Sequence, residues 1–381
     1  MAGIYIHIPF CKQACHYCDF HFSTNMKKKD AMLLALQQEL VLRKDEFTGQ
    51  KVETIYFGGG TPSVLSAAEI NELIQTVYTH YEVDATPEIT IEANPDDLTS
   101  LKLKELAASP VNRLSIGIQS FFDEDLTLMN RAHSAKQAME SLREATQLFD
   151  NISIDLIYGL PYLDHDRWKK NIDIALEFNV AHISSYALTV EPRTALKKFI
   201  EKGAVPPIDD DMAEEQFHML VEILNKEGYI HYELSNFGKP SFFSKNNTAY
   251  WLGKNYMGIG PSAHSYDGIR RGWNSRNNSV YIKSIENQIL PMEIEMLTKT
   301  DRYNEYVMTG LRTIWGVSLQ RVASDFGTRY HDYLLQQSEK HLKDGFLTID
   351  GGTLLVTKKG KFLSDGLAAD LFMLNLEGNS R

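Results

Sequence analysis

Cysteine is scarce in this chain, with only three among 381 residues. A small and odd number of cysteines in so long a chain argues against a framework of disulfides. No apolar run is long enough to span a bilayer, and residues 1–8 predict a β-strand rather than a secretory signal. These absences favour a cytoplasmic protein in a reducing compartment.

Positive charge is also in short supply. The chain carries 39 lysines and arginines against 50 aspartates and glutamates, which gives a formal net charge of −11. Broad nucleic-acid binding needs a basic surface, so no nucleic-acid partner is expected. A chain of this length has room for one large domain and a smaller one.

The three cysteines lie close together near the start of the chain. Cys11, Cys15 and Cys18 form the pattern C-x3-C-x2-C, and no other thiol is present. Three thiolates leave a four-coordinate metal site one ligand short, so one position stays open for a substrate or cofactor. The pattern favours an iron–sulfur cluster with three cysteine ligands.

Two other interpretations of the cysteines stay open at this point. Thiolates suit zinc as well as iron–sulfur clusters, and His7, His16 or His21 would supply a fourth zinc ligand. Positions 11, 15 and 18 also share one face of a helix, on which the thiols would merely be buried. The motifs further along the chain favour the iron–sulfur cluster over both.

The first two thirds of the chain alternate between strand-like and helix-like segments. Runs rich in Ile, Val, Tyr and Phe predict strands, and amphipathic runs between them predict helices. Such repeats indicate an α/β fold with a parallel sheet, either open or curled into a barrel. The predicted strands are residues 3–8, 53–57, 88–92, 113–118, 152–157 and 182–188, and the predicted helices lie near residues 30–45, 67–80, 101–108, 134–149 and 166–178.

Glycine-rich and polar motifs follow successive predicted strands. Barrel-type α/β enzymes build their active sites at the carboxyl ends of the strands. Six βα units therefore predict a partial (β/α)6 barrel with an open side and a site at this end. The motifs are the three cysteines, Gly58-Gly59-Gly60-Thr61-Pro62, Glu92-Ala93-Asn94-Pro95, Gln119-Ser120-Phe121, Asp155 with Gly159-Leu160-Pro161, and Tyr186.

The last third of the chain has a different texture. A helix-turn-helix-like segment and a hairpin around Asp350-Gly351-Gly352 predict a small winged-helix-like α+β module. The acidic charge favours a packing or lid role for this module over DNA binding. Further predicted elements are helices at 209–227 and 301–314 and a strand at 229–234, and the predicted domains are 1–235 (barrel), 236–299 (turn-rich aromatic connection) and 300–381 (C-terminal module).

The cysteine motif resembles that of the radical S-adenosylmethionine (SAM) enzymes, in which three cysteines hold a [4Fe–4S] cluster and SAM chelates the fourth iron. The glycine motif offers close backbone approach to the SAM ammonium. Glu92 and Asp155 offer carboxylates for the ribose or the ammonium, and the Arg131 guanidinium fits the SAM carboxylate. The structural alternatives are a plain turn, solvated acids and a surface salt bridge.

A series of motifs in a fixed order makes the resemblance closer. The chain is similar, over nearly its whole length, to the oxygen-independent coproporphyrinogen III oxidase group of radical SAM proteins. The resemblance implies that Cys11, Cys15 and Cys18 bind the cluster and that SAM contacts Tyr5, Gly59, Gly60, Thr61, Glu92, Gln119, Arg131 and Asp155, with Phe20 as a further cofactor-binding position. The motifs are residues 5–11, 58–62, 92–95, 113–121, 130–131, 154–161 and 258–265.

Two branches of that group differ in function. The oxidase removes two carboxylates from coproporphyrinogen III, has a long N-terminal extension, and carries another cysteine where this chain has Phe20. These differences favour the HemW-like heme chaperones, which bind heme and deliver it to respiratory heme proteins. The resemblance implies flavodoxin or ferredoxin as electron donor. A peripheral membrane contact and a homodimer stay open.

One motif departs from that branch. HemW-like chains carry His-Asn-x-x-Tyr-Trp for heme, whereas this chain has Asn246 in place of the histidine. Asparagine is a poor ligand for heme iron. His264, His231 and Tyr250 are the substitutes considered, and the nearby aromatic residues would stack on a flat macrocycle.

Overall fold

Parallel strands form the first part of the chain in a computed structural model, which describes residues 2–374. Residue 1 and residues 375–381, the outer ends of the predicted first and third domains, lie outside it. All six predicted strands are present with their order preserved, and each pairs in parallel with the next. They are β1 (Ala2–Ile8), β2 (Val52–Gly59), β3 (Val83–Ala93), β4 (Arg113–Gln119), β5 (Ile152–Tyr158) and β6 (His182–Ala187).

Helices connect these strands and cover the outside of the sheet. Ser66 and Ser134 begin two of them with capping boxes, in which the serine side chain and a residue three places on bond each other's backbone. The helix that Ser134 begins ends at Ala145, several residues before the predicted end. The helices are α1 (Lys29–Leu42), α2 (Ala67–His80), α3 (Ser100–Ala107), α4 (Asp123–Leu128), α5 (Ala135–Ala145), α6 (His165–Glu177), α7 (Ala195–Glu201) and α8 (Asp210–Lys226).

Side chains alternate between the two faces of each strand, as the pleat requires. In β1, Ile4, Ile6 and Ile8 are buried in the apolar core between sheet and helices, while Tyr5 and His7 line a cavity on the other face. The apolar face fixes the register of the strand, since a shift by one residue would bury the polar set instead. The polar residues are thereby directed to the inside of the barrel.

The sheet continues past β1 and β6 and does not close. Its order is β12-β11-β10-β9-β1-β2-β3-β4-β5-β6-β8-β7, with β9 parallel to β1 and β8 antiparallel to β6. The molecule therefore has the predicted partial barrel with an open side. The added elements are β7 (Ile230–His231), β8 (Asn236–Gly238), α9 (Lys245–Trp251), β9 (Asn255–Ile259), β10 (His264–Tyr266), β11 (Arg270–Asn274), α10 (Asn278–Glu286) and β12 (Met292–Met296).

The C-terminal module has an apolar core of its own, built around Tyr303, Val307 and Leu334. A helical turn, a helix and a two-stranded hairpin follow one another as the sequence predicts. The elements are α11 (Lys299–Leu311), β13 (Val317–Ser318), α12 (Leu319–Arg321), α13 (Thr328–Lys343), β14 (Leu347–Asp350), β15 (Thr353–Val356) and α14 (Ser364–Asp370). No helix within residues 2–374 combines the length and the apolar character that crossing a bilayer requires.

Two features of the middle of the chain differ from the sequence prediction. The strand expected over residues 229–234 is reduced to Ile230–His231. Residues 255–259, expected in a turn-rich connection, extend the barrel sheet, and Met257 and Ile259 join the main apolar core. The domain limits at residues 235 and 299 stay a prediction.

Candidate functional site

The segment that contains Cys11, Cys15 and Cys18, here called the cysteine loop, follows β1 and packs against the residues after α4. The backbone N–H of His16 donates to the Met129 carbonyl at 3.0 Å, and the Asn130 side-chain amide donates to the Ala14 carbonyl at 2.7 Å. Gln13 adds a bond of 2.9 Å to the Asn130 carbonyl. The loop is therefore positioned by hydrogen bonds to backbone carbonyls, and none of these bonds involves its three partly buried thiols.

The thiols open into a cavity of about 490 Å³ at the carboxyl ends of the strands. A cavity of this size is typical of sites for small ligands and cofactors. The structure brings together on its wall every predicted site residue except Tyr5. These are Cys11, Cys15, Cys18, Phe20, Gly59, Gly60, Thr61, Glu92, Gln119, Arg131 and Asp155.

Tyr5 lies in a neighbouring cavity, which residues of β1, α9, β9 and β10 help to line. Its hydroxyl is 3.3 Å from Nδ1 of His7, and its ring stacks on Tyr56 with centroids 6.0 Å apart. The two cavities share Phe20, Gly59 and Glu92. Tyr5 is thus adjacent to the cysteine cavity without lining it.

The end of β2 requires three successive glycines, Gly58, Gly59 and Gly60. A Cβ on Gly58 would lie 2.7 Å from the Tyr5 ring, and one on Gly60 would lie 2.7 Å from the Phe10 carbonyl oxygen. Gly59 has a φ of 111°, which only glycine adopts without strain. The close approach at Gly60 brings the end of β2 against Phe10, just before the first cysteine. There the Thr61 hydroxyl donates to Sγ of Cys11 at 3.3 Å.

Arg131 is held in the wall by neutral acceptors. Its Nη2 donates to Oδ1 of Asn94 at 2.7 Å and to the Gly117 carbonyl at 2.9 Å, and Nη1 lies 3.4 Å from Sγ of Cys15. Its Nε is buried, and within the described residues it has no hydrogen-bond partner. The guanidinium thus keeps both its charge and a free donor for an anionic ligand.

Glu92 and Asp155 are partly buried carboxyls that line the same cavity. Burial raises the pKa of Glu92 to about 7 and that of Asp155 to about 6, and the charge of Asp155 adds to the shift of Glu92. The Tyr56 hydroxyl donates to Glu92 at 2.8 Å and opposes this rise. Asp155 lies in the middle of β5 rather than at its end, deeper in the barrel than expected.

Sequence reasoning missed Arg113, which is 2% exposed inside the barrel. Its charge lowers the pKa values of both Asp155 and Glu92, against the effect of burial. The alternation of side chains along β4 could have identified Arg113. Ser115, Gly117 and Gln119 line the cavity, and Arg113 lies on the same face of the strand.

Comparison with known proteins gives two family matches. The radical SAM superfamily model matches residues 5–175, and the HemN C-terminal domain model matches residues 297–363. A Bacillus subtilis protein named heme chaperone HemW is 34% identical over 370 residues, which cover 96% of this chain and 97% of that protein. This chain belongs to the HemW family of radical SAM proteins.

Other relatives agree with this placement in the HemW family. The heme chaperone HemW of Mycobacterium tuberculosis is 32% identical over 375 residues, covering 97% of this chain and 94% of its own. The solved structure of the Escherichia coli coproporphyrinogen III oxidase HemN, described as a radical SAM enzyme, is similar with a TM-score of 0.85 at 25% identity. It covers 98% of this chain and 90% of HemN. This chain therefore shares its architecture with HemN over nearly its whole length, including the C-terminal module.

Membership of the radical SAM superfamily implies a [4Fe–4S] cluster and SAM, and the cavity of this HemW-family chain fits both. Among residues 2–374, no three His, Cys, Asp or Glu side chains are grouped tightly enough for a single metal ion. Tetrahedral zinc with bonds of about 2.3 Å needs its sulfur ligands within about 4 Å of one another. A four-iron cube accepts thiolates that are further apart, since each thiolate binds a different iron.

The three histidines considered as zinc ligands have other partners. Nε2 of His7 lies 3.0 Å from the His21 carbonyl oxygen, and Nε2 of His21 lies 2.7 Å from Oδ1 of Asn278. Nδ1 of His16 lies 2.9 Å from the Leu128 carbonyl oxygen. None of the three lines the cysteine cavity. These contacts disfavour a mononuclear zinc site in this HemW-family protein.

Asn246, which stands where the resemblance leads us to expect a heme-binding histidine, is 2% exposed. Its side-chain oxygen accepts a bond of 3.0 Å from Thr54, and its backbone N–H donates to Glu88 at 3.1 Å. Its side chain therefore holds α9 against β2 and lines neither cavity. Tyr250, four residues later, lines the neighbouring cavity, with its ring 4.5 Å from that of Tyr256.

Proposed function

We propose that this chain is a heme carrier that holds a [4Fe–4S] cluster and SAM, binds heme and passes it to respiratory heme proteins. The observation that carries the proposal is the similarity over 96–97% of the chain to proteins named heme chaperone HemW. The cavity supports the proposal, because the three cysteines, the glycines at the end of β2 and Arg131 all line one space that is large enough for a cofactor.

Different residues of the cavity bind different parts of the cluster and SAM. In the proposal Cys11, Cys15 and Cys18 each bind one iron, and Arg131 pairs with the SAM carboxylate. Glu92 and Asp155 accept hydrogen bonds from the ribose hydroxyls or the ammonium. When bound together, a reduced cluster and SAM supply one-electron cleavage of a carbon–sulfur bond, with flavodoxin or ferredoxin as the proposed electron source. The reducing conditions that such a cluster needs are the basis for proposing a cytoplasmic location.

Titration with heme tests the carrier function. Protein reconstituted with iron and sulfide without oxygen is mixed with ferric heme, and the spectrum is followed to stoichiometry. We expect saturable binding of heme and its transfer to a heme-depleted cytochrome. Free heme at the same concentration is the control for spontaneous transfer. Absence of a heme spectrum at stoichiometric protein would contradict the proposal. Homodimer formation and membrane contact stay predictions.

Coproporphyrinogen oxidation is the second candidate, favoured by the TM-score of 0.85 with HemN. Phe20, 69% exposed at the mouth of the cavity, stands where the resemblance places a further cysteine in the oxidase branch. Anaerobic incubation with coproporphyrinogen III, SAM and a reductant distinguishes the two. Release of two molecules of CO2 per substrate would support the oxidase, and recovery of unchanged substrate is the outcome expected for the carrier.

Glu92→Gln is expected to stabilise the ligand-free protein at alkaline pH while weakening SAM binding. The pKa of Glu92 is raised from 4.5 to about 7, so the fold disfavours the charged form. The cost is absent below pH ~4.5, grows as the pH rises towards ~7, and is complete above it. Glutamine keeps the acceptor for Tyr56 without the charge. The gain at pH 8 is on the order of 1–2 kcal/mol, because the half-buried carboxyl keeps part of its hydration.

Melting temperatures at pH 5 and pH 8 measure this effect. Glu92→Gln should melt about 2 °C or more above the parent at pH 8 and close to it at pH 5. The control is Glu105→Gln on the exposed side of α3, which should leave the melting temperature unchanged at both values. If Glu92→Gln lowered the melting temperature equally at both pH values, the charged Glu92 carboxylate would not be destabilising the folded protein.

A further inference from the structure

The loop between β9 and β10 is held in place by the buried carboxylate of Glu39. Glu39 of α1 is fully buried, and its Oε2 accepts bonds from the Gly260 N–H at 2.8 Å and the Tyr281 hydroxyl at 2.5 Å. Its Oε1 accepts a bond of 2.8 Å from Asn274 and pairs with Arg43 at 3.2 Å. A buried charge with this many partners holds its neighbours in one arrangement.

The same loop carries backbone strain. Ser262 has a φ of 65°, in the left-handed region that non-glycine residues rarely adopt. Gly260 has a φ of 103°, and a Cβ on it would lie 2.7 Å from the His7 carbonyl oxygen. Strain of this kind persists only where the surroundings impose it, and it concentrates at ligand sites. The strained turn leads directly to His264.

His264 begins β10 with its side chain exposed in the cavity next to the cysteine cavity. Within residues 2–374 its imidazole has no hydrogen-bond partner, whereas His7, His16, His21 and His231 each have one. Burial, together with the charges of Arg271 and Arg276, lowers the pKa of His264. The ring is therefore neutral at pH 7, which is the form that binds metals.

The cavity around His264 suits a flat, amphipathic, anionic ligand. Its volume is about 440 Å³, and Tyr250, Tyr256 and Phe20 provide aromatic surface. Arg276 lies on its rim, and the described part of the chain gives Arg276 no carboxylate partner. The cavity opens to solvent on one side and shares Gly59 and Glu92 with the cysteine cavity on the other.

The other substitutes for the missing histidine are less suited. His231 is 4% exposed, stacks on Phe237 at 4.2 Å, and has Nδ1 3.0 Å from the Lys361 ammonium. Its second nitrogen lies 3.0 Å from the Leu234 carbonyl oxygen, so both are occupied. Loss of hydration raises the phenol pKa of Tyr250 far above neutrality, so the hydroxyl keeps its proton and is a poor ligand for iron.

We propose that His264 binds the iron of heme in this second cavity and that Arg276 pairs with a heme propionate. The inference rests on the proposed carrier function and assigns the residue that replaces Asn246 as iron ligand. It places heme beside the cysteine cavity, with the shared residues Phe20, Gly59 and Glu92 between the two ligands.

The test compares His264→Ala with the parent in full-length protein carrying its cluster. Ferric heme is titrated without reductant, so that the oxidised cluster is silent in electron paramagnetic resonance and the signal of the ferric heme iron alone reports its ligand. We expect His264→Ala to lose the histidine-ligated signal and to bind heme about tenfold or more weakly. Added imidazole should restore the signal. Arg276→Gln should weaken binding about threefold or more without changing the signal.

His218→Ala on α8 is the matched control, since the His218 side chain is partly exposed, lies 3.5 Å from Glu214 and lines neither cavity. SAM binding by His264→Ala should match that of the parent, which would show an intact fold. An unchanged ferric signal and affinity in His264→Ala would overturn the assignment while leaving the carrier function standing. Failure of the parent to bind heme at all would overturn both.

Discussion

Replacing Cys15 with alanine is expected to reduce the iron content from about four per chain to below one. The chain has no other thiol outside the cysteine loop that could take the place of Cys15. Two remaining thiolates cannot hold a cube that already relies on a non-protein ligand at its fourth iron. Burial raises the pKa of Cys11 and, to about 11, that of Cys18, so binding must displace protons from these thiols. Every thiolate is therefore needed to offset this cost.

His16→Ala is the control for the Cys15 experiment. His16 is next to Cys15, but Nδ1 of its ring lies 2.9 Å from the Leu128 carbonyl oxygen, and the ring packs at 5.0 Å against Phe199. A cluster held by cysteines alone keeps its iron in this variant, whereas a zinc site completed by His16 would lose its metal. Iron, sulfide and zinc analyses after anaerobic reconstitution provide the measurement. Full iron content in Cys15→Ala, or zinc as the metal lost from it, would contradict the assignment.

Arg131→Gln is expected to weaken SAM binding by about 30-fold to 150-fold. A hydrogen-bonded charge pair contributes about 2–3 kcal/mol, and a buried guanidinium with a free Nε–H is well placed to form one with a carboxylate. Glutamine is uncharged, and its amide ends about where Nε lies in arginine, so it gives up the Asn94 and Gly117 acceptors of Nη2 as well as the charge.

Calorimetric titration of the cluster-loaded protein with SAM measures this loss. Arg329→Gln is the control, since Arg329 is exposed on α13 in the C-terminal module. Arg131→Lys separates charge from shape, because lysine keeps the charge without the two-pronged geometry and should give an intermediate affinity. SAM affinity in Arg131→Gln equal to that of the parent would show that another group pairs with the carboxylate.

Local patterns in the sequence predict the first six strands and their helices well. Each strand has a run of apolar residues on one face, and serines such as Ser134 begin helices by direct bonds to the backbone. The position of the site follows from the same patterns, because the carboxyl ends of parallel strands lie at one edge. That is why residues as distant in the chain as Cys11 and Asp155 could be expected on one wall.

Contacts between distant segments could not be predicted in the same way. Asn255 of β9 lies beside Ala2 of β1, and the intervening chain contains no local signal for this pairing. The burial of Asn246 in α9 depends on its hydrogen bonds to Thr54 of β2 and Glu88 of β3, which are far away in the sequence. The resemblance assigns Tyr5 to the SAM site. The position of its hydroxyl beside His7 depends on side-chain packing, which the spacing of residues in the sequence does not predict.

Mössbauer spectroscopy of anaerobically reconstituted protein, recorded with and without SAM, tests the central assignment most directly. The account predicts a four-iron cluster in which one iron changes its spectrum when SAM is added, because Cys11, Cys15 and Cys18 leave that iron free. A spectrum without a four-iron species, or one that SAM leaves unchanged, would contradict it.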